Sequence, residues 1–179
     1  MTVLILVLFA LTLSCSITPT KVRTSENEYF SIKAPAGWEI REEVFGESTV
    51  VDQGFKGLGV QGVVFLQYPS GKGNGKAFFV VALAPQVEGE DLESRFTRVY
   101  QSTTPEIKDA SQTSFEKGQL SGYEITYRRP WGEPWWEFRD VWLEHNGMVY
   151  VLSFYAAPGS LDKYSGEYQQ IMDSFQFKN

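Results

Sequence analysis

The stretch WWEFRDVWLEHNGMVYVLSFYA, residues 135–156, decides the fold of this chain. Two strand-like runs, 135–145 and 148–156, flank the dipeptide Asn146-Gly147. Asn-Gly between apolar runs is the strongest short-range signal for a β-hairpin, because a type I′ turn needs a positive φ at both central residues. The stretch therefore predicts two long antiparallel strands joined by a tight turn, with Gly147 in the left-handed region.

Further strand and helix patterns surround this hairpin. A strand is predicted at 76–84, and its run FFVVAL, 78–83, is apolar at every position, which predicts an interior strand that is covered on both faces. Helices are predicted at 91–102 and 161–174, where apolar residues recur at three- and four-residue spacing, with Ser160 as the N-cap of the second helix. The remaining strand patterns lie at 29–33, 38–42, 49–52, 60–68, 111–116, 123–128 and 174–177, and a hairpin loop is predicted at 69–76. Because βαβ alternation is absent, the order predicts an α+β fold, an antiparallel β-sheet flanked by helices.

An apolar run, VLILVLFALTL, occupies residues 3–13. Eleven helical residues span about 16 Å, well short of the ~30 Å hydrocarbon core of a bilayer, so residues 1–14 are predicted to be a signal peptide. The only cysteine, Cys15, follows in the string Leu13-Ser14-Cys15-Ser16, which resembles a bacterial lipobox. We therefore predict that Cys15 is lipidated and anchors an exported protein in a membrane, with an ordinary signal peptide and an unmodified cysteine as the alternative.

The polar residues after the cysteine are predicted to form a tether. The lipidated cysteine and tether are assigned to 15–28, and the folded domain to 29–179. The predicted location is periplasmic, lumenal or at the outer cell surface.

Three groups of residues in this domain resemble the PsbP-like proteins. The run YFSIKAPAGW, 29–38, resembles the F-x-I-x-x-P-x-G-W start of that family, and Gly122-Tyr123-Glu124 resembles its middle. The end of the family's sequence pattern is matched here by Trp142-Leu143, by Asn146-Gly147-x-x-Tyr150-x-Leu152 and by the predicted helix that closes on Ser174-Phe175. The resemblance spans about 29–177. The resemblance implies an α-β-α sandwich and a non-enzymatic accessory role. The family includes extrinsic photosystem II proteins, some of them lipid-anchored. No residue here matches a metal-binding or photosystem-binding residue of the family.

Charge and motif spacing argue against several classes of function. The net charge is −6 and the basic residues are scattered, whereas nucleic-acid binding needs a basic face. The G-x-G-x-x-G string at 57–62 precedes a strand-like run, so it is predicted to be a loop and not a dinucleotide site. The glycine-rich run at 71–76 lacks the first glycine and the Ser or Thr that a P-loop requires. The only histidine, His145, borders the predicted turn in a solvated position, which predicts no catalytic role.

The carboxylates fall into two groups, neither of which has the spacing of a catalytic or metal site. Four acids at 88–93 cluster at the start of the first predicted helix, where the helix dipole favours negative charge. Glu137 and Asp140 are predicted to point to opposite faces of one strand, and Arg139 is expected to neutralise a neighbouring acid. The sequence therefore predicts no cofactor, no metal and no enzymatic activity.

The segment RRPWGEPWW, 128–136, is the candidate partner-binding site, because Trp and Arg are enriched at interface hot spots. Its candidate residues are Arg128, Arg129, Trp131 and Trp135. Trp131 is predicted to be exposed in a loop, so that Trp131→Ala weakens partner binding by ~2 kcal/mol or more. Trp135 is predicted to lie on the face opposite Trp136, where it either covers a helix or is stacked by Arg128 or Arg129. The alternative for the whole segment is that its rings are internal packing.

These patterns together predict a membrane-anchored extracytoplasmic lipoprotein. It would be a non-enzymatic accessory or binding module for a membrane or envelope partner, with the membrane contacted through the lipid and the protein partner unidentified. One alternative is a small-ligand or lipid carrier with a pocket between the sheet and a helix. The other is an extrinsic protein associated with photosystem II.

Overall fold

The computed structural model describes residues 22–45, 58–68, 77–103, 107–130 and 134–178. Two α-helices lie in these ranges, α1 (Leu92–Thr103) and α2 (Ser165–Ser174), and a 3-10 turn, Leu161–Tyr164, precedes α2. The strands in these ranges are β1 (Arg23–Glu26), β2 (Phe30–Ala34), β3 (Glu39–Phe45), β4 (Gly62–Gln67), β5 (Ala77–Pro85), β6 (Lys108–Lys117), β7 (Leu120–Pro130), β8 (Trp135–His145), β9 (Met148–Ala156) and β10 (Gln176–Phe177). The patterns predicted at 49–52 and 69–76 lie outside the described residues.

A seven-stranded antiparallel sheet in the order β3-β4-β5-β9-β8-β7-β6 forms the middle of the molecule. Its β8–β9 hairpin turns at Asn146 and Gly147, whose φ angles are 48° and 71°, so the predicted turn is confirmed. The apolar strand β5 pairs with β4 on one side and β9 on the other, which confirms its interior position. The outer strand β6 is exposed along most of its length, and its pairing with β7 is irregular between Lys108 and Ser111.

A small sheet in the order β1-β2-β10 packs on one face of the large sheet beside α2. Arg23 pairs with Ala34 and Glu26 with Ser31, so residues 23–26 belong to the folded domain. The assignment of these residues to the tether is therefore wrong. The residues of β1 are all polar, and only Ser25 among them is buried, so the sequence of this strand shows no apolar alternation. Pairing with β2 creates the strand.

The two faces of the large sheet carry separate apolar clusters, which gives the predicted α-β-α layering. The face under α2 and the small sheet, called the α2 face here, buries Phe79, Val81 and Leu83 of β5. The opposite face, called the α1 face, buries Val80, Ala82 and Ala84 against Phe96 and Val99 of α1. Alternation along one strand thus supplies both cores, which explains why β5 is apolar at nearly every position.

The two helices begin differently from one another. The side chain of Asp91 accepts a 2.7 Å hydrogen bond from the Ser94 backbone N–H, which caps α1 and lowers the pKa of Asp91. Ser160 makes no such bond, so its predicted role as an N-cap is wrong. Ser160 is instead buried, and its carbonyl accepts from the N–H of Lys163 to open the 3-10 turn.

Candidate functional site

A buried carboxylate, Asp140, lies in the middle of the α1 face. Its exposed fraction is 0%, and it accepts hydrogen bonds from the hydroxyls of Tyr100 (2.6 Å), Tyr127 (2.8 Å) and Ser153 (2.5 Å). The indole N–H of Trp142 donates in turn to the Tyr100 hydroxyl at 3.0 Å. The network therefore joins α1 to three strands of the large sheet.

Burial dominates the electrostatics of this network. Desolvation raises the pKa of Asp140, and its three hydrogen bonds and the charge of Arg129 oppose that rise. Burial and the nearby carboxylate also raise the pKa values of Tyr100 and Tyr127 well above the usual range. Both hydroxyls therefore stay protonated and act as donors. Because Asp140 is sealed from solvent and its oxygens are occupied, the arrangement suits a structural role.

Glu137 and Asp140 point to opposite faces of β8, as the strand period predicts. On the α2 face, Glu137 accepts from the Leu161 backbone N–H at 3.3 Å, at the start of the 3-10 turn. The sequence suggested that Arg139 neutralises Glu137 or Asp140, which is wrong. The Nε of Arg139 instead lies 3.7 Å from the carboxylate of Glu124 on the paired strand β7. The guanidinium also lies over the ring of Tyr168, 5.1 Å from its centre.

His145 is less solvated than its position beside the turn predicts. Its ring stacks on Phe177 of β10, with centroids 4.2 Å apart and an interplanar angle of 10°. Among the described residues, no group of three His, Cys, Asp or Glu side chains could hold a metal ion. Gly59 of the glycine-rich string has a φ of 71°, and Gly62 opens β4, so the described part of that string leads into a strand as predicted.

Three of the four acids at the start of α1 have partners within the fold. Beyond the cap formed by Asp91, Glu90 pairs with Arg98 at 2.7 Å, which lowers the pKa of Glu90. Glu93 accepts a 3.2 Å hydrogen bond from Tyr123 on β7. These contacts favour the role at the helix terminus that the sequence indicated.

The structure divides the predicted partner-binding residues between the two faces of the sheet. Arg128 pairs across the strands with Glu137 on the α2 face, whereas Arg129 pairs with Trp136 on the α1 face. Trp135 is half-buried on the α2 face, and its ring is covered by Lys108, whose Nζ lies 4.1 Å from the centroid. A lysine thus takes the stacking position predicted for an arginine. Trp131 lies outside the described residues.

Trp135 and Arg128 lie at one end of the large sheet, which we call the tether end. Here β3, β5 and β8 begin, and β4, β7 and β9 end. Aromatic rings pack against one another at this end. The ring centroids of Trp38 and Tyr68 lie 5.8 Å apart, and those of Tyr68 and Tyr164 lie 5.3 Å apart. Tyr164 belongs to the 3-10 turn whose first backbone N–H, that of Leu161, donates to Glu137. The chain also enters the fold here, because Arg23 pairs with Ala34 just before the turn into β3.

The comparisons with known proteins bear on the fold. No protein-family model and no curated protein sequence matches the chain. The solved structure of PsbP from the cyanobacterium Synechocystis is 13% identical, with a TM-score of 0.56, and the match covers 90% of this chain and 95% of that chain. LpqN of Mycobacterium tuberculosis, described as involved in cell envelope biogenesis, is 13% identical with a TM-score of 0.54, covering 84% and 83%. A Pseudomonas aeruginosa protein of unknown function is 10% identical with a TM-score of 0.56, covering 86% and 94%.

These structures show that the chain has the PsbP-like fold, an antiparallel sheet flanked by helices, as the sequence resemblance implies. Within the ranges that the structure describes, no helix is both long and apolar enough to cross a membrane.

Proposed function

We propose that the protein is a membrane-anchored extracytoplasmic accessory module that holds a protein partner at a membrane without catalysing a reaction. The observation that carries the proposal is the short connection between Cys15 and the fold. Seven residues, 16–22, separate the lipobox-like cysteine from the start of β1. A lipid on Cys15 would therefore hold the domain close to the bilayer, where an accessory protein meets membrane partners.

The internal chemistry of the domain supports a non-enzymatic role. Asp140 is closed off from solvent and accepts hydrogen bonds from three donors of the fold, and Glu137 and Arg139 contact groups of the fold. An acid or base that works on a substrate needs a proton-transfer path to it. The fold shared with PsbP and with LpqN, an envelope protein by its description, is compatible with the proposed accessory role outside the cytoplasm.

Cell fractionation tests the anchor. The wild-type protein should partition into membranes, because each buried CH₂ of an acyl chain contributes ~0.8 kcal/mol and two or more chains hold stably. Cys15→Ala should be released or should accumulate as the precursor. Equal membrane partitioning of the two forms would contradict the proposal.

Crosslinking in intact cells tests the partner. A lysine-reactive reagent should give a defined heterologous adduct with the wild-type protein, and the yield should fall strongly for Cys15→Ala, because the variant is no longer concentrated at the membrane. An adduct that forms equally well with the released variant would place the partner away from the membrane.

A further inference from the structure

We infer that the tether end of the domain rests on an anionic lipid surface, with Trp135, Lys108 and Arg128 in contact with the headgroups. The inference rests on the proposed anchor at Cys15 and adds an orientation and a second membrane contact to it. Arg128 and Trp135, which the sequence pattern predicted to bind a protein partner, would then contact lipid headgroups.

The length of the connection is the first argument. From Cys15 to Arg23 the chain spans at most about 28 Å when fully extended, and about 15 Å on average if it is flexible. Strand β8 has 11 residues and is about 35 Å long. Because the chain enters at the tether end, even a fully extended connection of about 28 Å is too short to run back to the far end, about 35 Å away. The end nearest the anchor is therefore the end that meets the bilayer.

The distribution of charge is the second argument. The whole chain carries −6, whereas at the tether end the cations Arg23, Lys108 and Arg128 are balanced by the acids Glu39, Asp109 and Glu137. The acids at 88–93 follow the last residue of β5, and Glu144 precedes the β8–β9 turn, so these groups lie at the far end. An anionic surface therefore repels the acidic far end more strongly than the balanced tether end, and it can attract Lys108 and Arg128 where these are exposed, which favours the same orientation as the connection does.

The chemistry of Trp135 is the third argument. Tryptophan has an apolar ring and a polar N–H, and it is enriched where hydrocarbon meets water. Its neighbour Lys108 can keep its stem along the ring while its ammonium reaches a phosphate. Arg128 contacts Asp109, but both side chains are exposed (52% and 61%), so a lipid phosphate can compete for the guanidinium. Val22, 51% exposed where the chain enters, adds an apolar contact at this end.

Lipid quenching of tryptophan fluorescence tests the inference. The full acylated protein is reconstituted into phosphatidylcholine–phosphatidylglycerol vesicles that contain phosphatidylcholine brominated near the headgroup, and the vesicles are floated before measurement. Trp135→Phe should lose most of the quenching seen in the wild type. Trp136→Phe is the matched control, because Trp136 faces the α1 side and packs against Phe78. The control should retain the quenching.

The charge argument has its own readout in the same vesicles. Lys108→Gln combined with Arg128→Gln should reduce the quenching of Trp135 in anionic vesicles and leave it unchanged in vesicles of phosphatidylcholine alone. Lys178→Gln, which removes a cation paired with Glu26 at the far end, should have no effect in either. Thermal unfolding of each variant identifies one that has lost its fold.

The outcomes separate the inference from the proposed function. A wild-type protein that does not float with the vesicles overturns the anchor and the inference together. A protein that floats but shows no quenching assigned to Trp135 keeps its anchor and overturns the inference. Quenching that disappears when a protein partner is added, with Trp135 crosslinked to that partner, also overturns it and returns the surface to protein binding.

Discussion

The hydroxyl of Tyr100 on α1 donates a 2.6 Å hydrogen bond to the carboxylate of Asp140 on β8, in the middle of an otherwise apolar face. The same hydroxyl accepts from the indole N–H of Trp142. One side chain thus satisfies two buried polar groups of the sheet and fixes the position of a helix on it. The stability of the domain should therefore depend on this tyrosine more than on others of similar burial.

Tyr100→Phe should lower the free energy of unfolding by about 1–3 kcal/mol, because it leaves the Asp140 carboxylate with one donor fewer and the Trp142 N–H without its acceptor. Urea unfolding measures the change. Tyr164→Phe is the control, since that half-buried ring serves by packing on Tyr68. Equal effects of the two substitutions would refute the role given to the network.

Asp140→Asn should change the pH dependence of stability. Because the folded pKa of Asp140 is raised, its contribution is fully present below the ordinary carboxyl pKa of about 3.9 and is lost as the pH rises through the folded pKa. Asn cannot titrate. The Ser153 hydroxyl now donates to a carboxyl oxygen of Asp140, and in the variant the amide N–H of Asn can donate to that hydroxyl instead. The stability of the variant relative to the wild type should therefore improve as the pH rises from about 4 to 7.

This pH prediction is measured as a difference between the two proteins. Glu90 and Asp91 have lowered pKa values, and their contribution is lost in the opposite direction, as the pH falls. Since both proteins carry these groups, subtraction of the two urea-unfolding curves at each pH removes them. A difference that is constant over this range would show that Asp140 does not titrate there.

Gly147→Val should destabilise the domain by about 1–2 kcal/mol, because Gly147 holds a φ of 71° that a β-branched residue adopts only with strain. Gly166→Val is the matched control. Gly166 lies in α2, and a Cβ added there would meet no atom within 4 Å, so the same substitution should be nearly neutral. Thermal or urea unfolding compares the two, and a neutral Gly147→Val would refute the strain argument.

Gly122→Ala should be the most damaging of the substitutions considered. A Cβ at this position would overlap the backbone carbonyl oxygen of Trp142 on the paired strand, and backbone cannot move aside as a flexible side chain can. We expect a loss of more than about 3 kcal/mol, or failure to fold. Circular dichroism and urea unfolding would show it. A stable Gly122→Ala protein would mean that β7 and β8 separate more easily than their pairing suggests.

Patterns that are local in the chain predicted much of this fold. The Asn146-Gly147 turn, the interior position of β5 and the apolar face of α1 each depend on residues within one or two elements. Strand β1 has no such pattern, because its residues are polar and only its pairing with β2 holds it in place. A sequence reading that searches for apolar alternation therefore assigns it to the tether.

The candidate sites depended on distant contacts and were predicted less completely. The sequence analysis did not predict that Asp140 is buried, although its place between the apolar residues Phe138 and Trp142 on one strand face was a signal of it. Tyr100 lies 40 residues away, and its place over Asp140 depends on how α1 packs. Likewise, the irregular pairing at the start of β6 brings Lys108 over Trp135, and no local pattern in the sequence reveals that irregularity.

The irregular start of β6 also bears on aggregation. An outer strand offers unpaired backbone groups to any neighbouring molecule, and a second copy can pair with them and extend the sheet. Charged residues at both ends of β6, with Asp109 at a φ of 54°, oppose a regular ladder with a second copy. In the part of the chain that the structure describes, this edge of the sheet thus carries its own barrier to growth into a polymer.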